Sequence, residues 1–437
     1  MSLFTNIRCQ EASILHQKTY DVYISLLKEE LTVAMGCTEP IAIAYAGAKV
    51  RQVLGVLPER CTAYCSGNIV KNVMGVTVPN SGGAKGIAIA ALLGIVGGNA
   101  EQELNVLAEV TEHDIALAKK MEAEGLCRCE LVPDVENLYI RIDAEHSGDC
   151  ASVEIRDYHN NITKIVKNGK VLFDAAQRST EQETIDRNLL NLKDILEFAD
   201  TVNLDYIKDV LEKQIEYNSA IAKEGLDHCW GAQVGRTIME GSEAKTLIEQ
   251  ARAYAAAGSD ARMNGCAMPV VINSGSGNQG ITVTMPLLVY AKAYKIEHER
   301  VLRALAAANL IAVHQKKYIG SLSAFCGVAS AAAASACAIA YMLGADYEEI
   351  GGILTNTLGT IGGMVCDGAK SSCAAKISAA VATALLSMEM SRKGRVFRPG
   401  EGLVEDDVEA TIASVGRMGR DGMHSTDIEI LNIMLGK

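Results

Sequence analysis

Three cysteines in the last third of the chain have types and spacings that could do chemistry. Cys366 and Cys373 frame the run Cys366-Asp367-Gly368-Ala369-Lys370-Ser371-Ser372-Cys373, and Cys326 lies forty residues earlier, at the start of an alanine-rich segment. Neither separation suits a structural zinc ion, whose ligands usually come in close C-x₂₋₄-C pairs. An iron–sulfur cluster is larger, accepts thiolates from distant turns, and is tuned by hydrogen bonds to its sulfurs. The competing reading is that cysteine serves only as a small buried residue, a common event in a chain with 13 of them. Spacing alone leaves both readings standing.

Other residues could supply a base and a binding site. Asn68-Ile69-Val70-Lys71-Asn72 sets a lysine between two amides that could hold a carboxylate or an amino group. Desolvation lowers a lysine's pKa into the range of a general base, so Lys71 is the first catalytic candidate; a solvated surface lysine is the alternative. Lys316, ten residues before Cys326, is the second, and His314 reads more readily as structural. Cys37 stands at a helix start, where the dipole favours a thiolate. Cys266 reads as core. In the run 273–280, NSGSGNQG, Gly275, Gly277 and Gly280 permit backbone that aims consecutive N–H groups inward, and Ser274 and Asn278 add donors. This is a candidate carboxylate clamp, or else a tight turn between helices.

These residues need elements to hold them. Tyr20, Ile24, Leu27 and Leu31 recur at helical spacing, and Thr38-Glu39-Pro40 opens a second helix. Residues 60–100 mix short β-branched runs with glycine turns before an apolar helix from about Lys85. Strands are expected over 136–175, with Asn168-Gly169 as a hairpin turn. Thr180 and Glu183 read as a capping box, and Gly258 as the C-cap of the helices that follow. Residues 262–392 alternate long helices with glycine-rich turns, and a surface helix pair closes the chain from about Glu405. The expected fold class is α+β and mostly α. A mixed α/β domain with an antiparallel hairpin region spans 1–180, and an Ala/Gly-rich helical domain carrying the cysteines spans 181–437. A faint internal echo links Gly36-Cys37 to Gly265-Cys266, and Ser66-Gly67-Asn68 to Ser276-Gly277-Asn278.

Composition limits the function classes. The 437 residues carry a net charge of −12, 49% are hydrophobic and 5% aromatic. That excludes wholesale disorder and argues against a nucleic-acid or anionic-membrane binder, which would want a basic face. The first twenty residues hold no apolar run of signal-peptide length, and the segment 322–343 is built from Ala, Ser, Gly and Cys, as a buried core helix would be. The expected location is cytoplasmic, with thiols rather than a disulfide framework.

Taken together, MGCTEP (35–40), SGNIVKN (66–72), GVTVP (75–79), ARMNG (261–265), NSGSGNQGITVTMP (273–286), LSAFC (322–326) and CDGAKSSCAAK (366–376) resemble the L-cysteine desulfidase family, relatives of the iron–sulfur-dependent L-serine dehydratase α-chain. The resemblance implies a [4Fe–4S] cluster held by Cys326, Cys366 and Cys373, with one iron open to substrate. It implies a lyase that converts L-cysteine to hydrogen sulfide, pyruvate and ammonia, or, as the alternative, dehydrates L-serine. Some serine dehydratases cap that iron with a C-terminal cysteine; this sequence has none after Cys373, which favours the desulfidase branch. The implied catalytic set is Lys71, Cys37 and Lys316. Asn68, Asn72, Ser274, Gly275, Gly277 and Asn278 are expected to bind substrate. The expected partner is a small molecule, with no nucleic acid and no membrane, and assembly as a homo-oligomer stays open. Two other readings compete. A pyridoxal-phosphate β-lyase would use NSGSGNQG as a phosphate cup but leave the cysteines idle. A cysteine-sensing regulator would lack the base.

Overall fold

The computed structural model describes residues 15–177, 185–241, 245–320 and 322–437. Helix α1 (Gln17–Glu30) buries Tyr23, Leu26 and Leu27. Strand β1 (Val33–Met35) follows, then α2 (Thr38–Leu54), which starts at the Thr-Glu-Pro run and stops at left-handed Gly55. Strand β2 (Arg60–Cys65) leads into α3 (Gly67–Met74), α4 (Ile87–Gly97) and α5 (Glu112–Ala123). This passage is a crossover, because β3 (Cys127–Leu131) returns parallel to β2. Strands β4 (Tyr139–His146), β5 (Asp149–Arg156), β6 (Ile162–Lys167) and β7 (Lys170–Asp174) then meander antiparallel, giving the order β3-β2-β4-β5-β6-β7. Asn168 and Gly169 both take positive φ, 50° and 75°, and close the β6–β7 hairpin, as their sequence predicts. Alternate residues of β4 and β5 are buried, and both strands pack against α2.

From residue 192 the described chain is helical except for one short strand. Helices α6 (Leu192–Thr201), α7 (Lys208–Asp227), α8 (Val234–Glu240) and α9 (Leu247–Met263) precede β8 (Pro269–Val271). After it come α10 (Gly277–Tyr294), α11 (His298–Ile319), α12 (Gly327–Met342), α13 (Tyr347–Ile361), α14 (Cys373–Ser391), α15 (Val408–Arg417) and α16 (His424–Met434). The fold is α+β and mostly helical. Strand β8 pairs antiparallel with β1, Val33 opposite Val271, so the first described strand and the middle of the sequence share a ladder. Helix α12 is the buried alanine-rich core helix expected for 322–343, packed by α10, α11, α13 and α14. Among the described helices, α14 alone is long and apolar enough to cross a membrane, and half of that stretch is buried against its neighbours.

Two expectations need correction. Gly258 does not end its helix: α9 runs on to Met263, and a Cβ at Gly258 would meet Ile281 Cγ2 at 3.0 Å. The glycine is there so that α7 and α10 can approach α9 closely. The tail is only half a surface pair, since α15 buries Val408, Ile412 and Val415 against α11 and α13. The capping box at Thr180 and Glu183 lies outside the described residues.

Candidate active site

Residues from both ends of the chain line one cavity of about 560 Å³. Its thiol wall is built by a backbone clip. The Cys326 amide donates to Met364 O at 2.8 Å and the Cys366 amide to Ala324 O at 2.6 Å, with Phe325 and Val365 bridged between them. Cys326 and Cys366, forty residues apart in sequence, therefore stand side by side with their thiols hydrogen-bonded. Cys373 reaches the same cavity as the first residue of α14, its Sγ 3.7 Å from Gly368 O. Gly368 has φ +95°, and a Cβ there would lie 2.4 Å from Lys71 O, so the turn between the thiols requires glycine. The Cys326 hydrogen bond and the Lys71 and Lys376 charges pull the Cys366 thiol down against the effect of burial. The same hydrogen bond and burial push Cys326 up, and burial pushes Cys373 up.

A second wall centres on Glu39. The Cys37 thiol donates to Glu39 Oε2 at 2.9 Å and Asn72 Nδ2 to Oε1 at 3.0 Å. His159 Nε2, from the β5–β6 turn, stands 3.9 Å from Oε1, too far for a hydrogen bond. Burial would raise the Glu39 carboxyl, but His159 and Cys37 outweigh it and hold the group at about 2. Cys37 corrects the sequence reading. It is the N-cap of α2, yet burial and the Glu39 charge raise its thiol far above the usual range, so here the helix dipole does not produce a thiolate.

The third wall is the glycine-rich loop. Ser274 and Gly275 take φ of 48° and 74°, turning the chain into the first turn of α10. Ser274, Gly275, Ser276, Asn278 and Gln279 face the cavity. Behind them lies Arg262 of α9, 2% exposed and also on the wall. Its Nε has no hydrogen-bond partner among the described residues, and neither do the buried Asn278 Oδ1 and Gln279 Oε1. Gly277 is not on the wall; it lets the backbone press on Arg262, with a Cβ position only 2.4 Å from Nε. A buried cation and two buried acceptors left open around one cavity cost free energy unless a ligand satisfies them.

The expected residues divide accordingly. Cys326, Cys366, Cys373, Cys37, Lys316, Asn72, Ser274, Gly275 and Asn278 share the cavity, while Asn68, Gly277 and Lys71 lie off it. Asn68 Nδ2 donates to Asn137 Oδ1 at 3.4 Å. Lys71 is 1% exposed and engages the Asp427 carboxylate of α16 and, at 3.4 Å, Cys366 O. It is a buried ion pair behind the thiol wall, not a base facing the cavity. Burial draws the Lys316 ammonium down to about 8. His314, fully buried, pairs with Glu409 at 2.7 Å, a structural role. Sequence reasoning missed Glu39 and His159 as site residues. Arg262 stood in the quoted ARMNG run without a role. No three His, Cys, Asp or Glu side chains among the described residues close on a single-ion site.

Four cysteines, the buried Arg262 with its unpartnered Nε, and two amide side chains with unsatisfied oxygens line this one cavity. The family model of the serine dehydratase alpha chain matches residues 101–432. A UPF0597 protein of Treponema denticola is 44% identical over 427 residues, covering 96% of this chain and 99% of the relative. UPF0597 proteins of Lachnoclostridium phytofermentans and Finegoldia magna are 45% and 47% identical over 418 residues, each covering 95% of this chain and 100% and 99% of theirs. The chain belongs to the serine dehydratase α-chain family, whose members are lyases of the dehydratase type.

Proposed function

We propose that the cavity eliminates the β-substituent of a small L-α-amino acid, L-cysteine first, giving hydrogen sulfide, pyruvate and ammonia. The observation that carries this reading is the meeting of three thiols and the unpartnered Arg262 in one cavity. Cys326, Cys366 and Cys373 would hold a [4Fe–4S] cluster, which when bound supplies a Lewis-acidic iron to a leaving sulfur or oxygen. The donor set fits that group: three thiols face one space larger than a single ion needs, beside the Lys376 charge. Arg262 and the loop 274–276 hold the substrate carboxylate, and Asn278 Oδ1 and Gln279 Oε1 accept from its ammonium. Lys316, which lines the cavity near the Cys326 and Cys366 thiols, takes the α-proton in place of Lys71, whose ammonium is committed to Asp427. Glu39, held by hydrogen bonds from Cys37 and Asn72, keeps a negative charge on the cavity wall and disfavours a carboxylate beside it. The cavity's size suits a small-molecule substrate, and a net charge of −12 argues against nucleic-acid or anionic-membrane partners. L-serine is the second reading, favoured by the family match.

The test is iron and acid-labile sulfide per chain after anaerobic reconstitution, for the parent and for Cys366→Ala. About four of each in the parent, with loss in the variant, is expected. Sulfide release from L-cysteine against pyruvate formation from L-serine then decides between the substrates. A parent that takes up no iron would sink the cluster.

A further inference from the structure

Four cysteines outside the cavity gather on one face of the β2–β3 pair. The parallel register sets Cys61 opposite Cys127, Ala63 opposite Cys129 and Cys65 opposite Leu131. Registered partners share a face and residues two apart along a strand share it too, so all four thiols lie on the side that packs toward α4. Cys127 is the centre of the group: its thiol donates to Arg128 O at 3.8 Å and interacts electrostatically with both Cys61 across the ladder and Cys129 along the strand. Exposure grades outward: Cys61 is 4% exposed, Cys127 half-buried, and Cys129 open on the edge strand. None of these residues lines the cavity.

We propose that Cys61, Cys127 and Cys129 form a thiol relay that exchanges with a small-molecule disulfide, entered at Cys129 and resting as a Cys61–Cys127 disulfide. Geometry selects the resting bond. Neighbouring strands lie about 4.8 Å apart, inside the ~4.4–6.8 Å Cα separation a disulfide accepts. Residues two apart on one extended strand stand about 6.6 Å apart, at the upper limit of that range. In the first step the Cys129 thiolate attacks the external disulfide RSSR, forming Cys129–S–SR and releasing RS⁻. The Cys127 thiol then attacks the Cys129 sulfur, expelling the second RS⁻ and forming Cys127–Cys129. Finally Cys61 attacks the Cys127 sulfur, which regenerates the Cys129 thiol. Two protein thiols are oxidised by two electrons, and RSSR is reduced to two RSH. The interaction with Cys127, and then burial, raise the Cys129 thiol and slow its attack, so the exchange is followed at alkaline pH over long incubation.

Trypsin cuts after Arg60, Lys71, Lys120, Arg128 and Arg141, so Cys127 and Cys129 fall on separate peptides, 121–128 and 129–141, and Cys61 on 61–71. The reduced full chain is treated anaerobically with oxidised glutathione, quenched with acid and an alkylating agent, digested and mapped by mass spectrometry. The expected product is a 61–71 to 121–128 cross-link. Cys129→Ser slows it at least tenfold, and Cys61→Ala stops at the 121–128 to 129–141 link. Cys65→Ala leaves the cross-link unchanged, which assigns it to Cys61 rather than to its neighbour on the same peptide. A stable glutathione adduct on 129–141 without a cross-link would overturn the relay. So would a cross-link that forms in Cys129→Ser at the parent rate.

Discussion

The chain uses the tripeptide Ser-Gly-Asn twice to start a helix, at 66–68 before α3 and at 276–278 before α10, and the two starts have different fates. At α3 the polar groups are turned into structure: Ser66 Oγ donates to Asn137 O at 2.7 Å and Asn68 to the Asn137 side chain. Lys71, one turn on, is closed off by Asp427. At α10 the left-handed Ser274 and Gly275 turn the chain into the helix, and Asn278, a cavity-lining residue, keeps its Oδ1 without a partner. Asn68 Oδ1 is also without a partner, but it does not face the cavity; on α3 only Asn72 does. On the proposed reading, a helix start that serves a ligand is recognised less by its sequence than by unsatisfied polar groups on residues that line the cavity.

The largest way to break this contrast is at the Lys71–Asp427 pair. Asp427→Ala strands a buried ammonium, and a loss of about 3–5 kcal/mol in unfolding free energy is expected from denaturant titration. The double variant Lys71→Met, Asp427→Leu removes both charges and is expected to recover most of that stability while still turning over substrate. If the double variant folds but is inactive, Lys71 acts in the chemistry and α3 belongs to the site after all.

The second test lies on the other side of the comparison. Arg262→Gln removes the open cation while keeping a planar side chain. A charge-assisted hydrogen bond of about 1.5–3 kcal/mol is at stake, so kcat/KM is expected to fall roughly 10- to 150-fold, mainly through KM. A fall confined to kcat would place Arg262 at the reacting atoms instead of at the carboxylate.

What the sequence could disclose follows the range of the interactions. The fold class, the first two helices and the hairpin at Asn168-Gly169 depend on local periodicity and turn chemistry, and these were readable. The three thiols were readable as a group because a close pair and a third cysteine sat in distinctive motifs. Lys71 misled because its partner lies 356 residues away, and no local pattern distinguishes an unpaired buried lysine from a paired one. His159 was hidden in a hairpin turn that only the packing of the sheet against the helical part brings to Glu39. Cys37 was correctly placed at a helix start, but the sequence order Cys-Thr-Glu gave no reason to expect that the glutamate would turn back onto the thiol. Gly258 was read by its frequent use as a helix stop, when its role here is to let two helices touch.

The smallest effect, and the sharpest test of the comparison, comes from the same substitution made at both helix starts. In α10, a Cβ at Gly277 would meet Arg262 Nε at 2.4 Å and Val270 Cγ2 at 2.7 Å, and both neighbours are buried. Gly277→Ala must therefore displace the guanidinium, and KM is expected to rise about tenfold, the equivalent of ~1.4 kcal/mol of carboxylate binding. In α3, a Cβ at Gly67 would meet only Leu431 Cδ2 at 2.8 Å, the end of a flexible side chain on α16. Leu431 can turn aside, and alanine is the better helix former by about 1 kcal/mol, so Gly67→Ala is expected to leave KM within about twofold and stability near the parent's. Steady-state kinetics on the two variants side by side measure the difference. Equal effects at the two positions would mean that the helix starts share a role, and that the open groups at α10 are not what binds the substrate.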